Sequence, residues 1–167
     1  MKIRRGKISD LNNIMKMYNS CVTGMLNNNI DQWDSNYPNK KIIKADLEAK
    51  TYYVAEIKKE IVGGINIDQK QDKIYLTVNW KNPTNLFLVV HRLAVKQEFW
   101  GYKIGKELML FTEKIAQKNK MKSVRLDTYS GNPKAVGFYR HLNYIELGAI
   151  DLKPNKNEYY CFEKIIG

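Results

Sequence analysis

The chain has 167 residues, enough for one domain that buries roughly two thirds of its unfolded surface without disulfides. Its 28 Lys and Arg against 17 Asp and Glu leave a net charge of +11, yet the lysines are scattered rather than gathered into a tract with interleaved aromatics, so no nucleic-acid partner is expected. No apolar run approaches the ~20 residues that span a bilayer, the start Met1-Lys-Ile-Arg-Arg lacks an apolar signal core, and the two histidines and two cysteines show no metal-ligand spacing; no membrane span, secretion leader or metal site is therefore expected, and the expectation is a cytoplasmic protein with free buried thiols at Cys21 and Cys161.

Lys2 to Arg5 reads as a short strand. Ser9 or Asp10 can cap a helix whose buried stripe is Leu11, Ile14, Met15, Tyr18 and Val22. The helix stops near Asn27-Asn28-Asn29, and the loop Asp31-Gln-Trp-Asp-Ser-Asn-Tyr-Pro carries two aromatics, Trp33 and Tyr37, which either line an acceptor pocket or lid the core. Lys41 to Lys50 reads as a second helix. Tyr52 to Ile57 and Ile61 to Ile67 read as a hairpin turning at Lys58-Lys59-Glu60, and Gly63-Gly64 marks a bulge or a close approach of another backbone. Ile74-Tyr-Leu-Thr-Val-Asn-Trp is either an extra strand or a loop that tucks Trp80 toward the acceptor side.

Leu86 to Val95 is apolar enough for a strand buried on both faces. Gly101 and Gly105 bracket a turn, and from Ile104 the residues Leu108, Phe111 and Ile115 recur at helical spacing. A strand feeding a helix through such a turn gathers free amides and the positive helix end at one spot, which suits a phosphate. Ser123 to Thr128 alternates Val124, Leu126 and Thr128 against Arg125 and Asp127, a strand. Asn132 with Pro133 can open a further helix, and Tyr144 to Leu147 and Glu158 to Lys164 read as closing strands. The order gives an α/β (α+β) fold, a mixed sheet of six or seven strands with helices on both faces, in a single domain over residues 1–167.

Arg92-Leu93-Ala94-Val95 followed by Phe99-Trp100-Gly101-Tyr102-Lys103-Ile104-Gly105-Lys106-Glu107-Leu108 resembles the acetyl-CoA-binding signature of the GNAT family of N-acetyltransferases. That family's turn reads Gln/Arg-x-x-Gly-x-Gly/Ala; here Trp100 stands at the first position, Lys103 at the first glycine and Gly105 at the last. A second segment, Tyr129-Ser-Gly-Asn-Pro-Lys-Ala-Val-Gly-Phe-Tyr-Arg-His-Leu-Asn-Tyr, resembles the family's other coenzyme segment at Asn132, Ala135 and Tyr139. The resemblance implies a mostly antiparallel sheet with a splayed central strand pair and acetyl-CoA as co-substrate. Its pantetheine would pair with the main chain of Leu93, Ala94 and Val95, and its pyrophosphate would lie on amides from Trp100, Gly101, Tyr102, Lys103, Ile104, Gly105 and Lys106. Asn132, Ala135 and Tyr139 would complete the coenzyme site, and Trp33, Tyr37 and Trp80 are candidates for the acceptor. A lysine cannot take positive φ as cheaply as glycine, so the turn is expected to use a geometry open to ordinary residues.

Acetyl transfer to an amine requires a neutral nitrogen, a donor to the carbonyl oxygen and a partner for the leaving thiolate. His91 and Glu98 are the candidate bases, His91 being equally readable as a packed strand residue. A strand amide near Val95 is the candidate carbonyl donor, and Tyr139 by its match to the family is the group facing the sulfur. The reading is a monomeric or homodimeric N-acetyltransferase acting on a primary amine of a small molecule. Acetylation of a protein N-terminus or lysine, a coenzyme-binding module with little catalysis, and a basic nucleic-acid binder are the alternatives.

Overall fold

The computed structural model describes residues 1–34, 36–154 and 156–167; Ser35, part of the aromatic loop, lies outside them. The elements in chain order are β1 (Lys2–Arg5), α1 (Leu11–Leu26), α2 (Lys40–Glu48), β2 (Tyr52–Ile57), β3 (Glu60–Asp68), β4 (Phe87–Val95), α3 (Ile104–Lys118), β5 (Ser123–Tyr129), α4 (Pro133–His141), β6 (Ile145–Ile150) and β7 (Tyr159–Ile165). The strands follow the sheet order β1-β2-β3-β4-β5-β7-β6, mixed and mostly antiparallel, with β4 and β5 a parallel pair. The chain forms two compact units, residues Met1–Ile67 with His91–Phe111, and residues Asp68–Val90 with Thr112–Gly167. Among the described residues no helix is long and apolar enough to cross a membrane.

In the first unit the α1 stripe of Leu11, Ile14, Tyr18, Cys21 and Met25 shares one core with Ile43 and Leu47 of α2 and Tyr52 and Val54 of β2. That spacing turns one helical face inward, and burying each large apolar side chain contributes about 1.5–3 kcal/mol. Asp10 does not cap α1 with its side chain, as the sequence suggested; its carboxylate instead accepts from Arg4 Nη1 at 2.7 Å and from the Lys7 amide at 2.8 Å. Asn39 caps α2 by accepting from the Ile42 amide. The expected close approach at the paired glycines is observed: a Cβ on Gly64 would strike the Tyr52 ring, and one on Gly63 would meet Ile104 of α3 at 3.0 Å and the Ala94 carbonyl at 3.2 Å. The register irregularity falls on β2, between Ala55 and Glu56.

In the second unit β5 pairs with β7 from Ser123↔Ile165 to Tyr129↔Tyr159, β6 pairs with β7, and β4 pairs with β5 from Phe87↔Ser123 to Val90↔Leu126. Of the two alternatives for the stretch from Ile74 to Trp80 the strand is not formed. Residues 73–77 form a 3-10 helix, with Asp72 accepting from the Ile74 amide at its start and the Trp80 indole donating to the Tyr75 carbonyl. Arg125, on the polar phase of β5, is 3% exposed, its guanidinium stacked on Phe87 and Trp80 and its Nε donating to Glu163 at 3.0 Å. Glu163, itself buried, also accepts the Lys81 and Asn82 amides, so one carboxylate fastens the 3-10 segment's trailing loop to the sheet.

Candidate functional site

The second half of β4 breaks strand geometry at Arg92, whose φ of +54° lies in the left-handed region. A non-glycine residue held there is strained by roughly 1–3 kcal/mol and persists only when its surroundings fix it. They do so on both sides of the chain. The buried Tyr52 hydroxyl donates to the Tyr18 hydroxyl at 2.9 Å, which donates to the Arg92 carbonyl at 2.7 Å, while the Arg92 Nε and Nη2 both reach Asp46 Oδ2 of α2. Burial pushes both phenols up, so they remain donors. Against its own burial, Tyr37 and Asp46 keep Arg92 cationic. The sequence marked Tyr37; it did not mark Asp46 or Arg92.

Downstream, a 3-10 turn at Gln97–Phe99 leads into α3. Gly101 and Lys103 take φ of +87° and +61°. The expectation that Lys103 would avoid positive φ is therefore wrong: it occupies the left-handed position that the family fills with glycine. The amides of Trp100 and Tyr102 already donate within the turn, to Gln97 and Phe99. The first helical bond runs from the Glu107 amide to the Lys103 carbonyl, so the amides of Ile104, Gly105 and Lys106 precede it. With Gly101 and Lys103 they form a nest of donors at a helix start, flanked by the exposed side chains of Lys103 and Lys106. Such an arrangement suits an anion carrying two phosphates.

Trp100 itself turns inward. Its indole donates to the Val95 carbonyl at 2.8 Å, and its ring lies where a Cβ on Gly24 would come within 2.7 Å. Gly24 stands in the last turn of α1, and its lack of a side chain leaves room for the indole. The Val95 amide meets the Cys21 thiol, which burial pushes up to about 11 against this contact. Both main-chain groups of Val95 are thus engaged. Leu93 and Ala94 precede it on β4, Leu93 half-buried and Ala94 buried.

His91 is half-buried on β4. Glu98 is exposed, and its own amide, the Ser20 hydroxyl at 2.9 Å and Lys96 hold its carboxyl below the ordinary range, which makes it a weaker base. Trp33 is 9% exposed and stands edge-on to Tyr18 and Tyr37, inside the α1–α2 core, with Tyr37 half-buried beside it.

In the second unit Asn132 caps α4 as read, its Oδ1 accepting from the Ala135 amide at 3.1 Å, with Pro133 at the first helical position. Tyr139, seven residues on, is 7% exposed among Phe138, Tyr144 and Phe162. Among the described residues its hydroxyl takes no hydrogen bond, and burial, then the charge of Asp127, push the phenol up. It is therefore a donor that keeps its proton. Trp80 lines a cleft of about 300 Å³ with Gln71, Asn82, Phe87 and Arg125. Among the described residues no group of three His, Cys, Asp or Glu could hold a metal.

The sequence matches the Acetyltransferase (GNAT) family over residues 12–144. Comparison with curated proteins found no match. Among solved structures the chain is similar to a GNAT-family acetyltransferase from Streptococcus agalactiae (20% identity, TM-score 0.82, 98% of this chain and 94% of that one). A GNAT-family acetyltransferase from Listeria monocytogenes gives 18% identity and a TM-score of 0.76, covering 98% and 94%. The PaiA N-acetyltransferase of Thermoplasma acidophilum, solved in complex with coenzyme A, gives 17% identity and a TM-score of 0.73, covering 98% of each chain.

Proposed function

The chain belongs to the acetyltransferase (GNAT) family, and from that premise we propose that it moves an acetyl group from acetyl-CoA directly to the primary amine of a small molecule, without an acyl-enzyme. The observation that carries this reading is the turn Gly101–Lys106, where the amides that precede the first helical bond and the exposed side chains of Lys103 and Lys106 gather at the start of a helix. The coenzyme's pyrophosphate fits that donor set. Lys103, at the family's first glycine position, and Lys106 supply charge in place of the Gln or Arg that Trp100 replaces, and charge-assisted contacts to phosphate are roughly twice as strong as neutral ones. The pantetheine arm is assigned to the main chain of Leu93 and Ala94, and Asn132 and Ala135 to the coenzyme side of α4.

An alkylamine with a reference pKa of about 10.4 loses its proton at pH 7 at a cost of roughly 4.6 kcal/mol, so the acceptor must be neutralised before attack. Tyr139 is assigned to the sulfur. A phenol near 10 is a weaker acid than a thiol near 8.5, so full proton transfer is uphill by about 2 kcal/mol, and more when burial pushes the phenol up. Tyr139 therefore holds its proton and hydrogen-bonds the sulfur as negative charge develops there. The cytoplasm is the assigned compartment.

The test is release of free thiol from acetyl-CoA on a panel of primary alkylamines, polyamines, amino acids and a lysine peptide, with wild type and Tyr139→Phe. Turnover of a small amine, with Tyr139→Phe slowed at least tenfold at unchanged coenzyme affinity, is expected. Turnover of the peptide alone would move the acceptor to proteins. Coenzyme binding with no turnover would leave a binding module, and equal turnover by both proteins would remove Tyr139 from the reaction.

A further inference from the structure

Arg92 departs from strand geometry at φ = +54°, and its carbonyl accepts the Tyr18 hydroxyl at 2.7 Å. Tyr18 in turn accepts the Tyr52 hydroxyl at 2.9 Å, and both rings lie in the core, 1% and 0% exposed. A carbonyl fixed in this way fixes the amide beyond it. The Arg92–Leu93 peptide is planar and trans, so the Leu93 N–H points opposite to the Arg92 carbonyl, away from Tyr18. Asp46 of α2 holds the other end of Arg92 through its Nε and Nη2, so the left-handed residue is clamped at main chain and side chain together.

The paired glycines of β3 show what lies in the direction of that amide. Gly63 and Gly64 are consecutive strand residues, so their Cβ positions fall on opposite faces of the sheet. The Gly64 position runs into the Tyr52 hydroxyl, and the Gly63 position meets Ile104 and Leu108 of α3 and the Ala94 carbonyl. The two tyrosines therefore occupy one face and α3 the other. The Leu93 N–H is directed to the α3 face, where Ile104 opens the helix beside Ala94 and the amide nest begins. The Val95 amide, by contrast, is turned to the Cys21 thiol of α1.

We propose that the Tyr18 hydroxyl, backed by that of Tyr52, is a positioning group for acetyl transfer: it holds the Arg92–Leu93 peptide so that the Leu93 N–H meets the carbonyl oxygen of the bound thioester. This rests on the reading that the pantetheine arm lies along Leu93 and Ala94. As the neutral amine attacks, the N–C bond forms and the carbonyl electron pair moves onto oxygen. The Leu93 N–H donates to that oxygen and keeps its own proton. The charge then returns to re-form the carbonyl as the C–S bond breaks with its pair on sulfur, while the surplus proton of the nitrogen leaves to solvent. Tyr18 touches no reacting atom; it acts through Leu93, and Tyr52 acts through Tyr18.

Tyr18→Phe and Tyr52→Phe each remove one oxygen and leave the ring in the core. Loss of a carbonyl donor lowers kcat by about 100-fold to 1,000-fold, and loss of its support should cost part of that. In thiol-release assays with the best amine of the panel, Tyr18→Phe should therefore lower kcat at least about tenfold, and Tyr52→Phe less, with coenzyme A affinity within about threefold of wild type. Two spectra separate positioning from lost packing. With acetyl-CoA carrying carbon-13 at the acetyl carbonyl, the infrared band of the bound thioester should lie below that of the free one in wild type and return toward it in Tyr18→Phe. In nitrogen-15 spectra the Leu93 amide proton should move downfield when acetyl-CoA replaces coenzyme A on wild type, and not on Tyr18→Phe. A folded Tyr18→Phe protein that keeps kcat within threefold, or that loses kcat with the thioester band unchanged, would overturn the proposal. So would a wild type whose thioester band and Leu93 amide ignore the acetyl group, a result that needs no variant to fold and no acceptor to be known. A wild type that binds no coenzyme A would instead overturn the reading beneath it.

Discussion

Lys103 sets two effects against each other, and they can be separated. At φ = +61° its side chain occupies a conformation that disfavours an L-residue by roughly 1–2 kcal/mol. Lys103→Gly removes that strain but enlarges the freedom of the unfolded chain, which costs about 0.4–1 kcal/mol. The difference is a stabilisation of about 0.5 kcal/mol, or a Tm gain of roughly 1–2 °C for a chain this long. The same change removes a cation at the amide nest. An exposed charge of this kind contributes about 0.2–1 kcal/mol, so coenzyme A affinity should fall roughly twofold to fivefold, and less at high salt. Lys103→Ala loses the charge but keeps the strain. Calorimetric titration with coenzyme A at low and high salt, with thermal melts of all three proteins, reads both effects. Both variants should bind with the same weakened affinity, and only the glycine variant should melt above wild type. A glycine variant that melts below the alanine one would refute the strain argument; unchanged affinity in both would refute the placement of the phosphates.

Gly24→Ala forces a Cβ to within 2.7 Å of Trp100 and 2.8 Å of Gln97, and overpacking of this kind should destabilise by about 1–3 kcal/mol in urea melts, with partial rescue when Trp100→Phe is added. Glu163→Gln strands the buried guanidinium of Arg125 and should cost about 3–5 kcal/mol in the same assay. Asp10 has its carboxyl held low first by the hydrogen bond from Arg4; a depressed pKa adds stability that is present above the unfolded value and lost as pH falls through the folded one. Asp10→Asn should therefore be less stable than wild type above about pH 4 and converge on it as pH falls through the depressed value, so that its stability declines less steeply in acid.

Where residue periods were long and their faces unlike, the elements lay open in the sequence. The α1 stripe, the hairpin at Lys58-Lys59 and the Asn132–Pro133 start of α4 all follow local rules that tertiary contacts did not override. Residues 73–77 followed a different rule. Their alternation of Ile, Leu and Val imitates a strand, but a side-chain cap from Asp72 and the reach of the Trp80 indole to the Tyr75 carbonyl settle a 3-10 turn. Both partners lie within eight residues, yet no period registers them. Arg125 and Asp127 occupied the polar phase of β5, and period two says nothing of what covers that phase. Here Trp80 and Phe87 cover one residue and Tyr75 the other. Lys103 was misjudged because a local conformational cost was treated as decisive; one such cost is small beside the packing of the adjoining helix over Gly63. The indole of Trp100 had one available signal, Gly24 in the last turn of α1.

The central claim is that the turn into α3 holds the coenzyme's phosphates. Titrating coenzyme A into the nitrogen-15-labelled protein and following the amides of Gly101, Lys103, Ile104, Gly105 and Lys106 tests it directly. The account predicts that these five resonances shift together and saturably, while those of Trp100 and Tyr102, whose amides bond within the turn, move less. Saturable binding that leaves these five amides in place would contradict it.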